Sequence, residues 1–249
     1  MRFHRMVAIA VVALPLLATH LQAAELKVFA TMSVKSLVEE LGPQFEKTTE
    51  NKLKFTIGGS ADLKAQIDQG AAFDVAILTV PLINALADAG KIDGATRAIV
   101  ARAGLGVSVR AGTAKPDVST EDALKRTLLN AKSVGFNGQG ASRSMNEAMM
   151  SKLGIADEMK PKIKLLDIPA PEGVANGQVE IGLGPISEIL TVPGAQAAGP
   201  FPAGLQSYLV VSGGVAASTK DPEAAKALIK FLTSPTVLPA LKVRGMEPG

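Results

Sequence analysis

The sequence predicts an α/β protein of two lobes, each a mainly parallel sheet flanked by helices, with a ligand cleft between them. Apolar runs typical of buried strands alternate along the chain with segments whose apolar residues recur at helical spacing. Such alternation is typical of βαβ units. The chain has 249 residues, of which 47% are hydrophobic, so it can bury a sizeable core in one domain or two small lobes.

The first 24 residues have the layout of a secretory signal peptide. Arg2 and Arg5 form a short basic start, and the apolar run at 7–18 is too short to span a bilayer easily. Small residues follow, and we expect cleavage after Ala23, with Ala24 as the alternative position. We therefore expect residues 1–23 to be removed and the mature protein to work in the periplasm. An uncleaved membrane anchor is the competing interpretation.

The first lobe is predicted from strand–helix units at the start of the mature chain. Each strand leads into a segment with helical spacing, and the strands are expected at 26–30, 53–57 and 75–78. Pro43 is expected to kink or divide the first helix, since proline lacks the backbone N–H. The late helix at 222–232 is expected to return to this lobe. We assign residues 24–103 together with 212–249 to it.

The second lobe, residues 104–211, is predicted from the rest of the alternation. A long strand-like stretch at 98–109 is expected to be broken by Gly104 and Gly106. The further strands are expected at 133–136, 163–167, 181–183 and 208–211. The chain crosses between the lobes near Ala103 and again near Val211, which would make a hinge. A ligand would then bind at the carboxyl ends of the strands.

The composition excludes several classes of chemistry. The sequence has no cysteine, and its two histidines, His4 and His20, both lie in the predicted signal peptide. Zinc sites of the usual kind and Cys–His or Ser–His–Asp catalysis are therefore not expected, and we expect no metal and no cofactor. The net charge is +3, and it is about +1 without Arg2 and Arg5. Scattered basic residues and few aromatic residues indicate no nucleic-acid partner.

Two serine loops are the most informative local feature. Ser33 and Ser60 each follow a strand-like run and precede a segment with helical spacing. A helix N-terminus presents free N–H groups and partial positive charge, so two of them together would favour an anion. Simple helix capping by the two hydroxyls is the alternative interpretation.

These motifs resemble those of periplasmic molybdate-binding proteins. The segments that carry the likeness are 30–33, 58–67, 73–75 and 242–249, and the likeness extends in order over the whole mature chain. It implies a type II periplasmic-binding-protein fold and a bilobed clamp that delivers its ligand to an ABC transporter. It also implies ligand contacts from Ser33 and Ser60, and from backbone amides at Ala141 or Ser142 and at Val174.

The second lobe departs from the family pattern in two places. Pro185 occupies the approximate place of a ligand-binding tyrosine. Arg143 stands beside the glycine-rich loop, residues 137–142, where a neutral residue would be expected. Because arginine forms bidentate pairs with carboxylates, Arg143 is a candidate ligand residue and a small organic carboxylate is an alternative to an oxyanion. Glu172 is either a general base or an ordinary helix-start carboxylate.

Two classes of function follow from the sequence. The first is a monomeric solute-binding protein that captures a small oxyanion or carboxylate for an ABC permease. The second is an isomerase, because a periplasmic aconitate isomerase is similar to the same family. It would shift a proton and a double bond in a small unsaturated tricarboxylate. The sequence indicates no catalytic residue for that reaction.

Overall fold

The computed structural model describes residues 23–249, so the predicted signal peptide, except for Ala23, lies outside the described residues. The strands are β1 Glu25–Thr31, β2 Lys52–Gly58, β3 Val75–Thr79, β4 Ala98–Arg110, β5 Val134–Asn137, β6 Ile163–Leu166, β7 Ile181–Pro185, β8 Ala195–Pro200, β9 Tyr208–Val215 and β10 Met246–Glu247. The helices are α1 Lys35–Thr49, α2 Ser60–Asp68, α3 Val80–Asp88, α4 Glu121–Asn130, α5 Arg143–Lys152, α6 Ala156–Met159, α7 Ala170–Ala175, α8 Ile186–Ile189, α9 Pro222–Leu232 and α10 Leu238–Lys242. The predicted α/β fold class is confirmed.

The strands are joined in the order β2-β1-β3-β9-β4-β7-β5-β6, and β8 and β10 both pair with β4. Parallel pairs lie at the two ends of this order, where β1 pairs with β2 and β3, and β5 pairs with β6 and β7. In the middle, β9 and β4 pair antiparallel with their neighbours. The crossings of the chain therefore add antiparallel strands to the parallel βαβ units.

Strand β4 connects two regions of sheet. Its residues up to Gly104 pair with β9, and its residues from Leu105 onward pair with β7 and β8. We call the sheet of β2, β1, β3, β9 and the first part of β4 the first sheet region, and the remainder the second. The expected break at Gly104 and Gly106 is wrong, because β4 runs through both glycines and changes its partners there. The division of the chain into two lobes stays a prediction.

Gly106 is required by close packing. A Cβ atom on it would lie 2.7 Å from the backbone oxygen of Gly199 and 2.8 Å from Cγ1 of Ile186. The glycine thus lets β8 and α8 approach the strand at the junction of the two sheet regions.

Helix α1 differs from the sequence prediction at Pro43. The helix continues from Lys35 to Thr49 with the proline inside it. Because proline has no N–H, the carbonyl of Glu39 lacks its usual hydrogen-bond donor at Pro43. Both of these residues are exposed, whereas Leu41 and Phe45 are buried on the other face of the helix. Water can therefore replace the hydrogen bond that proline removes, and the helix is not divided.

Each sheet region has its own buried apolar side chains. In the first, Phe45 of α1 and Leu228 of α9 belong to one cluster with Val28 of β1. In the second, Phe136 of β5 clusters with Met149 and Leu183. Full burial of such side chains stabilises the fold by about 1.5–3 kcal/mol each. In the described range we find no helix whose length and hydropathy would let it cross a membrane.

Candidate functional site

The residues predicted to bind a ligand lie where strands pass into helices. Strands β1 and β2 lead into the turns that carry Ser33 and Ser60, and β5 leads into the loop of Ser142. Parallel strands within one region present their carboxyl ends at the same edge. The strand–turn–helix pattern read from the sequence thus places these side chains on the expected edges of their sheet regions.

Ser33 lies in a 3₁₀ turn, Met32–Val34, between β1 and α1. Its side chain is buried, with 3% of the residue exposed, and its Oγ has no hydrogen-bond partner. It is not the N-cap of either helical segment, since Thr31 and Val34 hold those positions without side-chain capping bonds. The capping interpretation is therefore not what the structure shows for Ser33.

Ser60 is the first residue of α2, with Gly59 as its N-cap. It is 6% exposed, and its Oγ donates a hydrogen bond of 2.8 Å to Oγ1 of Thr31. Thr31 is itself buried and lies opposite Gly58 in the parallel pairing of β1 with β2. The ends of β1 and β2 therefore bring two buried hydroxyl groups together, and neither hydroxyl makes a capping bond.

The glycine-rich loop brings the second set of predicted residues to the end of β5. Ser142 occupies the N-cap position of α5, is 8% exposed and makes no capping bond with its side chain. Ala141 beside it is exposed. Within the loop the Gln139 amide donates to Oδ1 of Asn137, and the Arg143 amide donates to the Gly140 carbonyl. The backbone-amide contact at Ala141 or Ser142 stays a prediction.

The guanidinium of Arg143 is hydrogen-bonded within the second sheet region. Its Nε donates to Oε1 of Glu147 at 2.9 Å, and its Nη1 donates to the Gly138 carbonyl at 3.0 Å. The side chain is 43% exposed. Arg143 thus connects α5 to the glycine-rich loop, while its pairing with a ligand carboxylate stays a prediction.

Val174 lies inside the short helix α7. It is buried and clusters with Leu166 and Val179. Its side chain therefore belongs to the apolar packing of the second sheet region, and the ligand contact of its amide stays a prediction.

Two buried polar residues were missed from the sequence. Ser187 of α8 is 2% exposed and its Oγ has no partner, while Asn146 of α5 is fully buried and its Oδ1 has none. The amide nitrogen of Asn146 donates to the Leu183 carbonyl of β7 at a long 3.4 Å. Ser187 follows a strand and begins a helix, which is the same signal that identified Ser33. Asn146 lies one helical turn beyond Ser142, on the same face of α5.

These unpartnered groups are concentrated at the candidate site. Among the described residues, the fully enclosed side-chain atoms without a hydrogen-bond partner are Ser33 Oγ, Asn146 Oδ1 and Ser187 Oγ. Helix α8 with Ser187 contacts the 3₁₀ turn of Ser33, so two of them lie on touching elements from the two sheet regions. An unsatisfied buried polar group costs about 1–3 kcal/mol. A ligand with several acceptor oxygens would remove that cost for both hydroxyls.

A cavity of about 320 Å³ lies beside this contact. Its walls come from the start of α1 and from α7 and α8, and they include Met32, Lys35, Glu39, Glu172, Ser187 and Glu188. The amine of Lys35 lies 3.9 Å from the carboxylate of Glu39. The cavity therefore lies between the first and second sheet regions, with Ser187 in its lining.

Glu188 is the electrostatically unusual residue of the cavity. Burial, and to a smaller extent the negative charge of Glu172, raise the pKa of its carboxyl from the ordinary value of 4.5 to about 7. Near neutral pH both the protonated and the ionised carboxyl are therefore populated. Such a group can donate a hydrogen bond or exchange a proton without a histidine.

A larger groove of about 910 Å³ lies in the second sheet region, at the opposite ends of its strands. It is lined by exposed basic side chains such as Arg110 and Lys132, and it reaches Ile181 at the start of β7. Its position separates it from Ser142 and Ser187 at the carboxyl ends. In the described part of the chain, no group of three or more potential metal-ligating side chains is brought together.

Comparison with known proteins identifies a family and a curated relative. The family model of bacterial extracellular solute-binding proteins matches residues 26–247. An aconitate isomerase from a Pseudomonas species is 26% identical over 256 aligned positions, covering 99% of this chain and 98% of that protein.

Solved structures show the same fold. The periplasmic molybdate-binding protein of Azotobacter vinelandii superposes with a TM-score of 0.76 at 20% identity, covering 90% of this chain and 99% of that one. The sulfate-binding protein SubI of Mycobacterium tuberculosis H37Rv gives a TM-score of 0.74 at 19% identity, with coverages of 90% and 87%. The chain thus has the type II periplasmic-binding-protein fold that its motifs predicted.

Proposed function

The chain belongs to the family of bacterial extracellular solute-binding proteins, and on that premise we propose that it binds a small anion between its two sheet regions. The observation that supports this most is the pair of buried, unpartnered hydroxyl groups of Ser33 and Ser187 on elements in contact. A hydroxyl can donate its proton to an anionic oxygen, and a charge-assisted bond of this kind is strong without a buried counter-ion.

The remaining contacts in the proposed site come from both sheet regions. Ser60 and Thr31 supply a second pair of hydroxyls, and the N-terminus of α2 adds partial positive charge. From the second region we propose Ser142 and the backbone at Ala141. Neutral donors on two sides would enclose an oxyanion or a carboxylate group.

We further propose that the site closes by motion of two lobes, residues 24–103 with 212–249 and residues 104–211. We propose that the chain crosses between them in β4 at Gly104–Leu105 and again just before β9, a few residues ahead of the boundary at 211/212, because β9 pairs with the first part of β4 from Tyr208 onward. There the side chain of Gln206 accepts from the Leu105 amide at 2.9 Å and donates to the Leu105 carbonyl at 3.0 Å. We also propose that the protein is exported by a cleaved signal peptide, acts as a monomer and delivers its ligand to an ABC permease.

Thermal unfolding of the mature protein tests this function. Molybdate, tungstate, sulfate, tricarballylate and both aconitate isomers are added in turn, and a bound ligand at 100 times its Kd stabilises the protein by about 2.7 kcal/mol. The shift should be lost in Ser33→Ala and Ser60→Ala and retained in Ser144→Ala, which alters an exposed position of α5. Equal shifts in all variants would exclude the serine site.

The same titrations test the role of Arg143. If its guanidinium pairs with a ligand carboxylate, Arg143→Ala should weaken carboxylate binding by about 1.5–3 kcal/mol. A loss confined to the carboxylates would assign Arg143 to the ligand.

A second candidate function is isomerisation of a small unsaturated tricarboxylate. It is favoured by the full-length similarity to an aconitate isomerase and by the raised pKa of Glu188 in the cavity. A base would take a proton from the methylene carbon, the double bond would shift, and the proton would return to the former vinyl carbon. Chromatography of the two aconitate isomers after incubation tests this reaction. The reaction would be established if the unaltered protein interconverts the isomers and Glu188→Gln still binds aconitate but no longer interconverts them. If the unaltered protein leaves the isomers unchanged, the reaction is excluded.

A further inference from the structure

The cavity beside α8 offers more room than a tetrahedral oxyanion requires. Its volume of about 320 Å³ equals that of roughly ten water molecules in the liquid. It is bounded by the start of α1 on one side and by α7 and α8 on the other. A ligand bound where the 3₁₀ turn of Ser33 meets α8 could therefore extend a second group into this space.

The polar groups of the cavity are of two kinds. Lys35 lines it with a half-exposed cationic side chain, and Ser187 lines it as well, although the unpartnered Oγ of that serine is fully enclosed. Glu188 and Glu172 bring two carboxyl groups to the same wall, which would repel each other and an anionic ligand if both were ionised.

The other charged residues around α8 belong to the elements that pack against it. From α1, Lys35 faces the cavity beside Glu39, and from α7 comes Glu172. Arg244 precedes Gly245, which packs against Ile186 of α8, and its guanidinium donates hydrogen bonds to the side chains of Ser36 and Glu40. Strands β7 and β8 carry no charged residue. Strand β4, which also packs against α8, carries Arg102 over the ring of Tyr208 and Arg110 in the groove at the opposite ends of the strands. Lys35 is thus the cation that lines the cavity among these elements.

Resting on the anion site proposed above, we propose that this cavity is a subsite for a carboxylate group of a di- or tricarboxylate ligand. Lys35 and the protonated Glu188 are its hydrogen-bond donors. Binding of the ligand is therefore accompanied by uptake of a proton on Glu188. An oxyanion without a second carboxylate does not use this subsite.

The coupling follows from the charges in the cavity. A ligand carboxylate beside Glu188 favours its neutral form, and the O–H of that form donates a strong hydrogen bond to the carboxylate. Because the pKa of Glu188 is about 7 in the unliganded protein, the required proton is present below that pH and must be taken up above it. Affinity should then fall by up to about tenfold per pH unit above 7.

Isothermal titration calorimetry tests the subsite with tricarballylate, a saturated tricarboxylate that cannot isomerise. Titrations at pH 7.0, 7.5, 8.0 and 8.5 in buffers of different ionisation enthalpy give the number of protons taken up. We expect uptake that rises toward about one proton per ligand, with the affinity falling across this range. Molybdate, titrated in the same way, should show no uptake on Glu188.

Variants separate this subsite from the anion site itself. Glu188→Gln keeps an N–H donor but cannot titrate, so it should bind tricarballylate with no pH dependence and no proton uptake between pH 7.0 and 8.5. Glu172→Gln should lower the pH at which the affinity begins to fall, and Glu158→Gln, an exposed glutamate of α6, should behave like the unaltered protein.

The outcomes distinguish the two proposals. Three results would overturn the subsite and leave the anion site standing. In the first, molybdate binds and tricarballylate does not. In the others, tricarballylate binds without proton uptake, or the uptake persists in Glu188→Gln. Binding of none of these anions, or binding unaffected by Ser33→Ala, would overturn the anion site.

Discussion

Replacement of Glu188 by glutamine should stabilise the protein at neutral and alkaline pH. Burial and the charge of Glu172 raise the pKa of Glu188 to about 7. Ionised Glu188 is therefore held in surroundings that disfavour its charge, whereas it is solvated in the unfolded chain. Glutamine has nearly the same shape as the protonated side chain, and it avoids the charge at every pH.

The size and sign of the effect follow from the pKa. At about 1.36 kcal/mol per pKa unit, the displacement from 4.5 to about 7 corresponds to an upper limit of about 3 kcal/mol. Because the folded protein retains this proton where the unfolded chain has released it, the free energy of unfolding falls as the pH rises from about 4.5 to about 7. The advantage of Glu188→Gln should be near zero at pH 4 and reach its full value above pH 7.

Urea unfolding of the mature protein and of Glu188→Gln, at intervals from pH 4 to pH 8.5, measures this difference. Thermal unfolding should show the same trend, with the melting temperature of the variant about 6–12 °C higher at pH 8 if the full 3 kcal/mol is realised. Glu158→Gln makes the same chemical change on the exposed surface and should give a flat difference. The reasoning fails if the Glu188→Gln difference is as large at pH 4 as at pH 8.

Three further predictions concern the site and the junction of the sheet regions. Ser33→Ala should leave the unliganded protein as stable or stabilise it by up to about 1–3 kcal/mol, since it removes an unpartnered buried hydroxyl, while ligand affinity measured by calorimetry falls roughly tenfold or more. Reduced stability would indicate a capping role instead. Gly106→Ala should cost about 1–3 kcal/mol in urea unfolding because its Cβ overlaps a backbone oxygen of β8, whereas Gly184→Ala, whose Cβ has its nearest neighbour at 3.9 Å, should cost less. Equal costs would contradict the packing argument. Gln206→Ala should accelerate hydrogen exchange of the Leu105 amide by roughly fivefold or more, because one of its acceptors is lost, and unchanged exchange would show that the backbone bonds alone hold the crossing.

Much of the first sheet region could be predicted because its signals are local. A strand, a serine turn and a helix follow one another within a few residues at Ser33 and at Ser60, and parallel pairing places both turns at the same edge. The predicted strands there agree with β1, β2 and β3. The effect of Pro43 was misjudged because it depends on which face of α1 is exposed.

The second sheet region was harder to predict for physical reasons. Strand β8, Ala195–Pro200, is made of small residues without strand-like periodicity, and it forms because β4 supplies its hydrogen bonds. Ser187 had the right local pattern, but the helix α8 that carries it packs against the turn of Ser33, more than a hundred residues earlier. Arg143 had the right charge for a ligand clamp, but its nearest partners lie in its own helix and loop.

The sequence by itself determined the alternation of strands and helices, the serine turns at the ends of β1 and β2, and the absence of cysteine throughout and of histidine after His20. These properties depend on residue identity and short-range spacing. Only the tertiary structure decided which hydroxyls are buried without partners and which carboxyl has a pKa near neutrality. Those properties depend on desolvation and on charges from distant segments: the turn of Ser33 packs against α8, and α7 places Glu172 near Glu188.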